Sequence, residues 1–348
     1  MGRRWIVIAA IAVMTVAACV AHYADAPAVL AFVLATIALA GLAWVVSFAT
    51  EQVGERFGPA VTGVLQSTLG NLPEFFIVVF ALSAGEVVVA QTSIIGSIFA
   101  NALFVLGLAI VGGSRRADDG VMRFGIRLPK DTATLMLLAS FLIVIVAIAV
   151  ATHDPAAEHV KAISIIGAVA LLATYAAWVV DYLRSDTPVE PEHGQPIVSM
   201  TVAVVMLSVA GVGAALVSDW FVSALTPAMD QIGISKAFAG LVIVAIAGNA
   251  VENVVGISLA LKGRPDFAVS LVKNSVSQIA VFLFPVLVLL SLFFDPSLTF
   301  VLDPIWIGAL TLMALAVWQI TGDGEAALFE GLALVSLYVI LATVAWFE

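Results

Sequence analysis

Two acidic residues lie inside apolar segments in matching frames, Gly70-Asn71-Leu72-Pro73-Glu74 and Gly248-Asn249-Ala250-Val251-Glu252. A charged side chain at bilayer depth costs about 2.5–3.5 kcal/mol on insertion scales. Helix packing alone does not require one, because Asn, Ser or a small residue packs at lower cost. A cation or proton site does require one. In these frames glycine loosens the helix and lets backbone approach closely. Pro73 has no N–H, so the carbonyl of Leu69, four residues earlier, loses its helical donor and can face a cation. Unwound carbonyls beside carboxylates form an all-oxygen cage, which suits a hard ion such as Ca2+ or Na+. Asn71, Asn249, Ser97, Ser275, Asn101 and Gln278 are candidates for further neutral oxygens. For Ser97 or Ser275 taken alone, helix packing is the simpler account. His22, His153, His159 and His193 all map to loops or segment ends. A soft metal such as Zn2+ or Cu+ is therefore not indicated.

These residues sit in a chain of 348 residues that is 62% hydrophobic and 11% charged, with a mean hydropathy of +1.15. Apolar runs long enough to span a bilayer recur from end to end, which makes this an all-α integral membrane protein. Eleven segments are predicted, roughly at 4–22, 28–50, 60–83, 89–112, 131–151, 160–182, 198–218, 236–261, 267–293, 303–320 and 326–346. The longer loops are 113–130, which is basic, and 184–197, which carries Asp186, Glu190, Glu192 and three prolines. No basic stripe fits nucleic acid. The single cysteine, Cys19, excludes an internal disulfide. With the N-terminus in the cytoplasm, eleven Lys and Arg residues fall inside and only Lys161 and Lys236 outside, with Lys273 within a segment. The positive-inside rule selects that orientation. Segment 1 has two readings, a retained helix or a signal peptide ending near Val16-Ala17-Ala18-Cys19. Both keep the same orientation.

A shift of 178 residues superimposes the chain on itself. Gly70 meets Gly248, Asn71 meets Asn249, Glu74 meets Glu252, Gly85 meets Gly263, Ala90 meets Ala268, Ser97 meets Ser275 and Phe104 meets Phe282. Segments 3–4 thus match segments 8–9, and an offset of five segments makes them enter the membrane from opposite sides. Inverted repeats of this kind place the substrate site near the midplane, where the halves meet. The expected organisation is an extra helix at 1–27, a first five-helix repeat at 28–183, an acidic cytoplasmic loop at 184–197 and a second repeat at 198–348. Two carboxylates can neutralise one divalent cation or hold two protons. If the empty, charged site cannot reorient, the outcome is antiport. No HExxH, GxSxG or dense acidic cluster supports a membrane-embedded enzyme, and a paired carboxylate in an inverted repeat suits alternating access better than a continuous pore.

The paired motifs resemble those of the calcium/cation antiporter superfamily, especially its calcium/proton branch. They are Gly70-Asn71-x-x-Glu74 with Gly96-Ser97-Ile98-x-x-Asn101, and Gly248-Asn249-Ala250-Val251-Glu252 with Ser275-x-x-Gln278-Ile279-Ala280. Leu103-Phe104-Val105-Leu106-Gly107 and Phe282-x-Phe284-Pro285 look like the family's helix continuations. The resemblance implies one extra helix plus two inverted five-helix halves. It also implies that Glu74 and Glu252 bind the cation and exchange it for protons, with nearby Asn, Ser and Gln as helpers. The expected partners are small inorganic cations, protons and the lipid bilayer. No cofactor is implied, since Ca2+ or Na+ would be cargo and H+ the counter-ion. The expected location is a bacterial inner (plasma) membrane, and a homo-oligomer is compatible with the architecture. Sodium/proton or sodium/calcium exchange is the alternative.

Three positions depart from the pattern. Pro73 resembles the sodium/calcium exchanger branch, Asn274-Ser275 stands where Gly-Ser is usual, and Lys273 takes a position that is Ile95 in the first repeat. Lys273 lies roughly 9 Å inside segment 9 by helical rise. It either snorkels to the cytoplasmic face or pairs with Glu74, Glu252 or another acid and alters the charge of the site. Glu51 and Glu55 read as interfacial. Glu330 reads as partly buried near the start of segment 11, with no partner evident in the sequence.

Overall fold

The computed structural model describes residues 2–54, 56–57, 65, 68–184 and 196–348. The helices are α1 (Gly2–Tyr23), α2 (Ala28–Gly54), α3 (Leu72–Ser83), α4 (Val87–Ser114), α5 (Arg127–Ala151), α6 (Val160–Arg184), α7 (Met200–Ile232), α8 (Lys236–Gly248), α9 (Ala250–Leu261), α10 (Pro265–Phe293), α11 (Pro304–Thr321) and α12 (Leu328–Trp346). Among the described residues nine helices are long and apolar enough to cross a membrane, and α8 with α9 forms a tenth, bent span. The chain is a multi-pass membrane protein. Of the predicted segment 60–83, α3 is the main described part, and 58–64, 66 and 67 lie outside the described residues. So do Glu55 and nearly all of the acidic loop, including Asp186, Glu190, Glu192 and His193.

Segment 7 runs well past its predicted end at 218. Helix α7 passes through Pro227 to Ile232 before Gly233 terminates it at φ 75°. Its 33 residues correspond to about 50 Å, against roughly 30 Å of hydrocarbon. Its last turns therefore project beyond the apolar layer, where Thr226 hydrogen-bonds Glu86 at 3.1 Å.

The 178-residue shift recurs in backbone geometry. Helices α3 and α9 are both 12 residues long and both start at an asparagine off helical geometry, Asn71 at φ −83°, ψ 8° and Asn249 at φ −101°, ψ 21°. Each ends in a turn through a left-handed glycine, Gly85 at 75° and Gly263 at 76°. Each following helix widens into a π-turn at matching positions, Ala100–Val105 and Ile279–Leu283. The chain bends by 62° between α8 and α9.

Contacts between loops sort the helix ends into two faces, as the odd–even count of crossings requires. On one face β1 (Val121–Arg123) pairs antiparallel with β2 (Glu325–Ala327), and the Gly125 N–H donates to Asp266 Oδ1 at 2.5 Å. Arg56 donates to the Val198 carbonyl at 2.9 Å on that same face. On the other face Lys236 bridges Glu86 at 2.5 Å, and Ser235 donates to the Ala345 carbonyl at 2.6 Å. The two-stranded ladder is absent from the all-helical expectation, because two three-residue strands far apart in sequence leave no periodic signal. Arg123 bonds both Asp119 and Glu325, and its hydrogen bond holds the Asp119 carboxyl below its ordinary value. Both ion pairs are exposed, so the ladder rests mainly on its backbone bonds. Glu330 accepts the Ala327 N–H at 2.7 Å, so it caps the start of α12.

Helices α4 and α12 meet backbone to backbone at Gly107 and Gly331. A Cβ on either glycine would stand 2.7 Å from the other's carbonyl oxygen. Small residues at a membrane helix crossing permit this approach. Gly331→Val or Gly107→Val should cost about 1–3 kcal/mol through forced separation, read as a lowered melting temperature of the detergent-solubilised protein. Unchanged melting would disprove a close-packed crossing.

Candidate functional site

The two helix breaks bring the two frames together from opposite sides. Glu74 stands in the first turn of α3 and Glu252 in the first turn of α9, where helix N-terminal dipoles favour negative charge. Both are buried, at 4% and 8% exposure. Each carboxylate fits against the glycine of the other frame. A Cβ on Gly248 would lie 2.7 Å from Glu74 Cγ, and one on Gly70 would lie 2.9 Å from Glu252 Oε1. The glycines therefore have a role beyond the expected loosening of the helix, since each leaves a notch for the opposing acid.

A chain of hydrogen bonds crosses the two repeats. Glu74 Oε1 accepts from Ser97 Oγ and from Asn249 Nδ2. Asn249 Nδ2 also lies 2.9 Å from Ser97 Oγ. Asn101 Nδ2 donates to Asn249 Oδ1 at 2.8 Å and to Ser275 Oγ at 3.3 Å. Asn249 is thus oriented at both ends, and its amide presents N–H to Glu74. The expected neutral oxygen from Asn249 is turned to Asn101 instead. The atoms left over are acceptors: Glu74 Oε2 and Asn101 Oδ1 are buried without a hydrogen-bond partner among the described residues. A buried anionic oxygen with no donor fits a bound cation or a proton.

Other predicted residues fall around this centre. Neither Asn71 nor Asn249 uses its side chain to cap the helix it starts. Leu69 lies half-buried in the last turn before the first break. Pro73 occupies the first turn of α3, where a missing N–H is tolerated. The second repeat breaks at the same place with Val251 in the corresponding position, so a proline is not required for the break. Gln278 is fully buried and donates to the Tyr175 hydroxyl at 2.8 Å. The Lys273 ammonium, 2% exposed, donates to Thr321 Oγ1 at the end of α11. Thr321 ends α11 just before β2, so this bond carries the Lys273 ammonium toward the face on which β1 and β2 pair. Thr321 and Tyr175 stand outside the duplicated motifs, and a single hydroxyl in an apolar helix carries no spacing signal. Among the described residues no cluster of three His, Cys, Asp or Glu forms.

Gly70→Ala displaces only the mobile end of Glu252, whereas Gly248→Ala strikes the Cγ of a carboxylate that is already held. Both should weaken cation affinity, with Gly248→Ala the more severe and the only one to lower the melting temperature by several degrees. Binding isotherms and melts on the two variants check this ordering.

Comparison with known proteins gives a consistent assignment. A family model described as sodium/calcium exchanger protein matches residues 27–181 and 202–347. The chain is 30% identical over 320 residues to a vacuolar calcium ion transporter of Schizosaccharomyces pombe, covering 89% of this chain and 77% of the relative. It is 30% identical over 324 residues to the Ca(2+)/H(+) antiporter ChaA of Bacillus subtilis, covering 91% and 92%. The solved structure of native YfkE superposes with a TM-score of 0.82 at 29% identity, covering 99% of both chains.

Proposed function

The chain belongs to the sodium/calcium exchanger protein family, and from that premise we propose that it is a secondary antiporter, not an enzyme, exchanging Ca2+ for H+ by alternating access. The observation that carries this reading is the buried Glu74, with one oxygen held from both repeats and the other without a donor, beside Glu252. Two carboxylates buried where the two frames meet cannot both remain charged without compensation. One divalent cation or two protons supply it equally well. A site that is costly when empty and charged couples the two species. The bonds from Asn249 to Glu74 and from Asn101 to Ser275 span the repeats, so movement of one half against the other must break them. Cation arrival competes with the Asn249 and Ser97 donors for Glu74, which ties binding to that movement. The names of the similar proteins support calcium as cargo and the proton as counter-ion.

The cation-binding set we assign is Glu74 and Glu252 as ligands, with Ser97, Ser275, Asn101 and Gln278 as neutral oxygens. The N-terminus is assigned to the cytoplasm of a bacterial inner membrane, supported by the excess of Lys and Arg on one face.

In proteoliposomes with an imposed pH gradient, Ca2+ uptake should be driven by the gradient and exceed that of Na+, K+ and Mn2+. Na+ flux without Ca2+ flux would replace this reading with sodium/proton exchange. Glu74→Gln and Glu252→Gln should each reduce exchange more than 100-fold while retaining helical content and monodispersity; normal transport by either variant would refute the two-carboxylate site. Protons compete for the same oxygens, so the apparent KM for Ca2+ should rise as pH falls on the side from which Ca2+ enters. A KM independent of pH would dissociate proton from cation binding.

A further inference from the structure

The repeat relates Phe104 to Phe282 by the same 178 positions. Phe282 packs on Tyr175 of α6 with ring centroids 5.3 Å apart and planes inclined by 36°. Phe104 packs on Tyr338 of α12 at 5.3 Å and 34°. Tyr175 and Tyr338 are therefore counterparts across the two halves, and both are buried. Their hydroxyls differ. That of Tyr175 accepts from Gln278 Nε2 at 2.8 Å and hydrogen-bonds Thr68. That of Tyr338 has no hydrogen-bond partner among the described residues. The cause is legible in the sequence, since the shift that maps one half onto the other turns Gln278 into Ala100 and Thr68 into Ile246.

Among the described residues the polar bridge thus exists in one half only, and its two ends are chain neighbours of the site. Thr68 stands three residues before Asn71, in the helical turn that precedes the first break. Gln278 stands one turn after Ser275, which Asn101 links to Asn249. An amide anchored through its nitrogen presents its oxygen at the opposite corner. We infer that Tyr175 is a positioning residue of the cation site: its hydroxyl orients the Gln278 amide so that its carbonyl oxygen serves the cation, and it ties that amide to the segment-3 break through Thr68. This inference rests on the antiport reading above and adds a residue outside the duplicated motifs.

The molecule supplies its own control. Tyr175→Phe and Tyr338→Phe each delete one buried hydroxyl and leave the ring against its phenylalanine. In Ca2+/H+ exchange by proteoliposomes, Tyr175→Phe should raise the KM for Ca2+ about five- to tenfold, the worth of one net hydrogen bond, with kcat held within about twofold. Tyr338→Phe should leave KM unchanged. Gln278→Leu should raise KM by a similar factor, and the Tyr175→Phe/Gln278→Leu double variant should be no worse than Gln278→Leu alone, because the tyrosine acts through the amide. An unchanged KM in Tyr175→Phe, an equal shift in Tyr338→Phe, or additive single effects would each overturn the inference. If Tyr175→Phe does not fold, the KM of Gln278→Leu decides, and an unchanged value there also overturns it. Absence of Ca2+ exchange by the unmodified protein would instead refute the antiport reading itself.

Discussion

Two buried carboxylates, each fitted against the glycine of the other's frame, impose the constraint that organises this molecule. Glu74 and Glu252 repel, and at membrane depth neither water nor lipid relieves that repulsion. Every polar group around them answers to it. Ser97 and Asn249 donate to Glu74, the first turns of α3 and α9 aim their positive ends at the acids, and Asn101 orients Asn249 from behind. What remains unsatisfied is acceptor capacity, at Glu74 Oε2 and Asn101 Oδ1. Helix breaks, glycine notches and the crossing of the two frames are the means by which a chain of apolar helices holds each such residue against the opposite repeat.

The duplication explains the site, and its imperfections explain how the halves can do different work. Glu74 is held by groups from both repeats, whereas Glu252 rests against Gly70. Lys273 has Ile95 as its counterpart and Gln278 has Ala100. An exchanger with two identical halves would present the same energies when open to either side. Substitutions confined to one half, each buried and each hydrogen-bonded, give the two halves different polar contacts. The two faces are also tied differently, by a backbone ladder and Asp266 on one and by the Glu86–Lys236–Thr226 cluster on the other.

Much of the fold is legible in the amino-acid sequence. Apolar run length identified the spans, and the count of Lys and Arg sorted the loops into faces that the interloop contacts respect. The 178-residue shift located both breaks, both left-handed glycines and the paired acids. Pro73 marks the first break, and Asn249 shows that the break forms without a proline as well. The misreadings have specific causes. The helicity of α7 past Pro227 was hidden by residues that usually end helices. The ladder between β1 and β2 joins strands about 200 residues apart, and no local pattern announces such a pairing.

The sequence by itself determined which residues are costly to bury and that they come in pairs, because charge, hydropathy and spacing are properties of the chain. Only the tertiary structure decided what each of them touches. Gly70 and Gly248 became notches for the opposite carboxylate, Asn249 turned its N–H rather than its oxygen to Glu74, and Lys273 found Thr321. Hydrogen-bond direction and sub-ångström fit arise where helices distant in sequence converge, and a one-dimensional pattern records the residues that meet there but not the way they face.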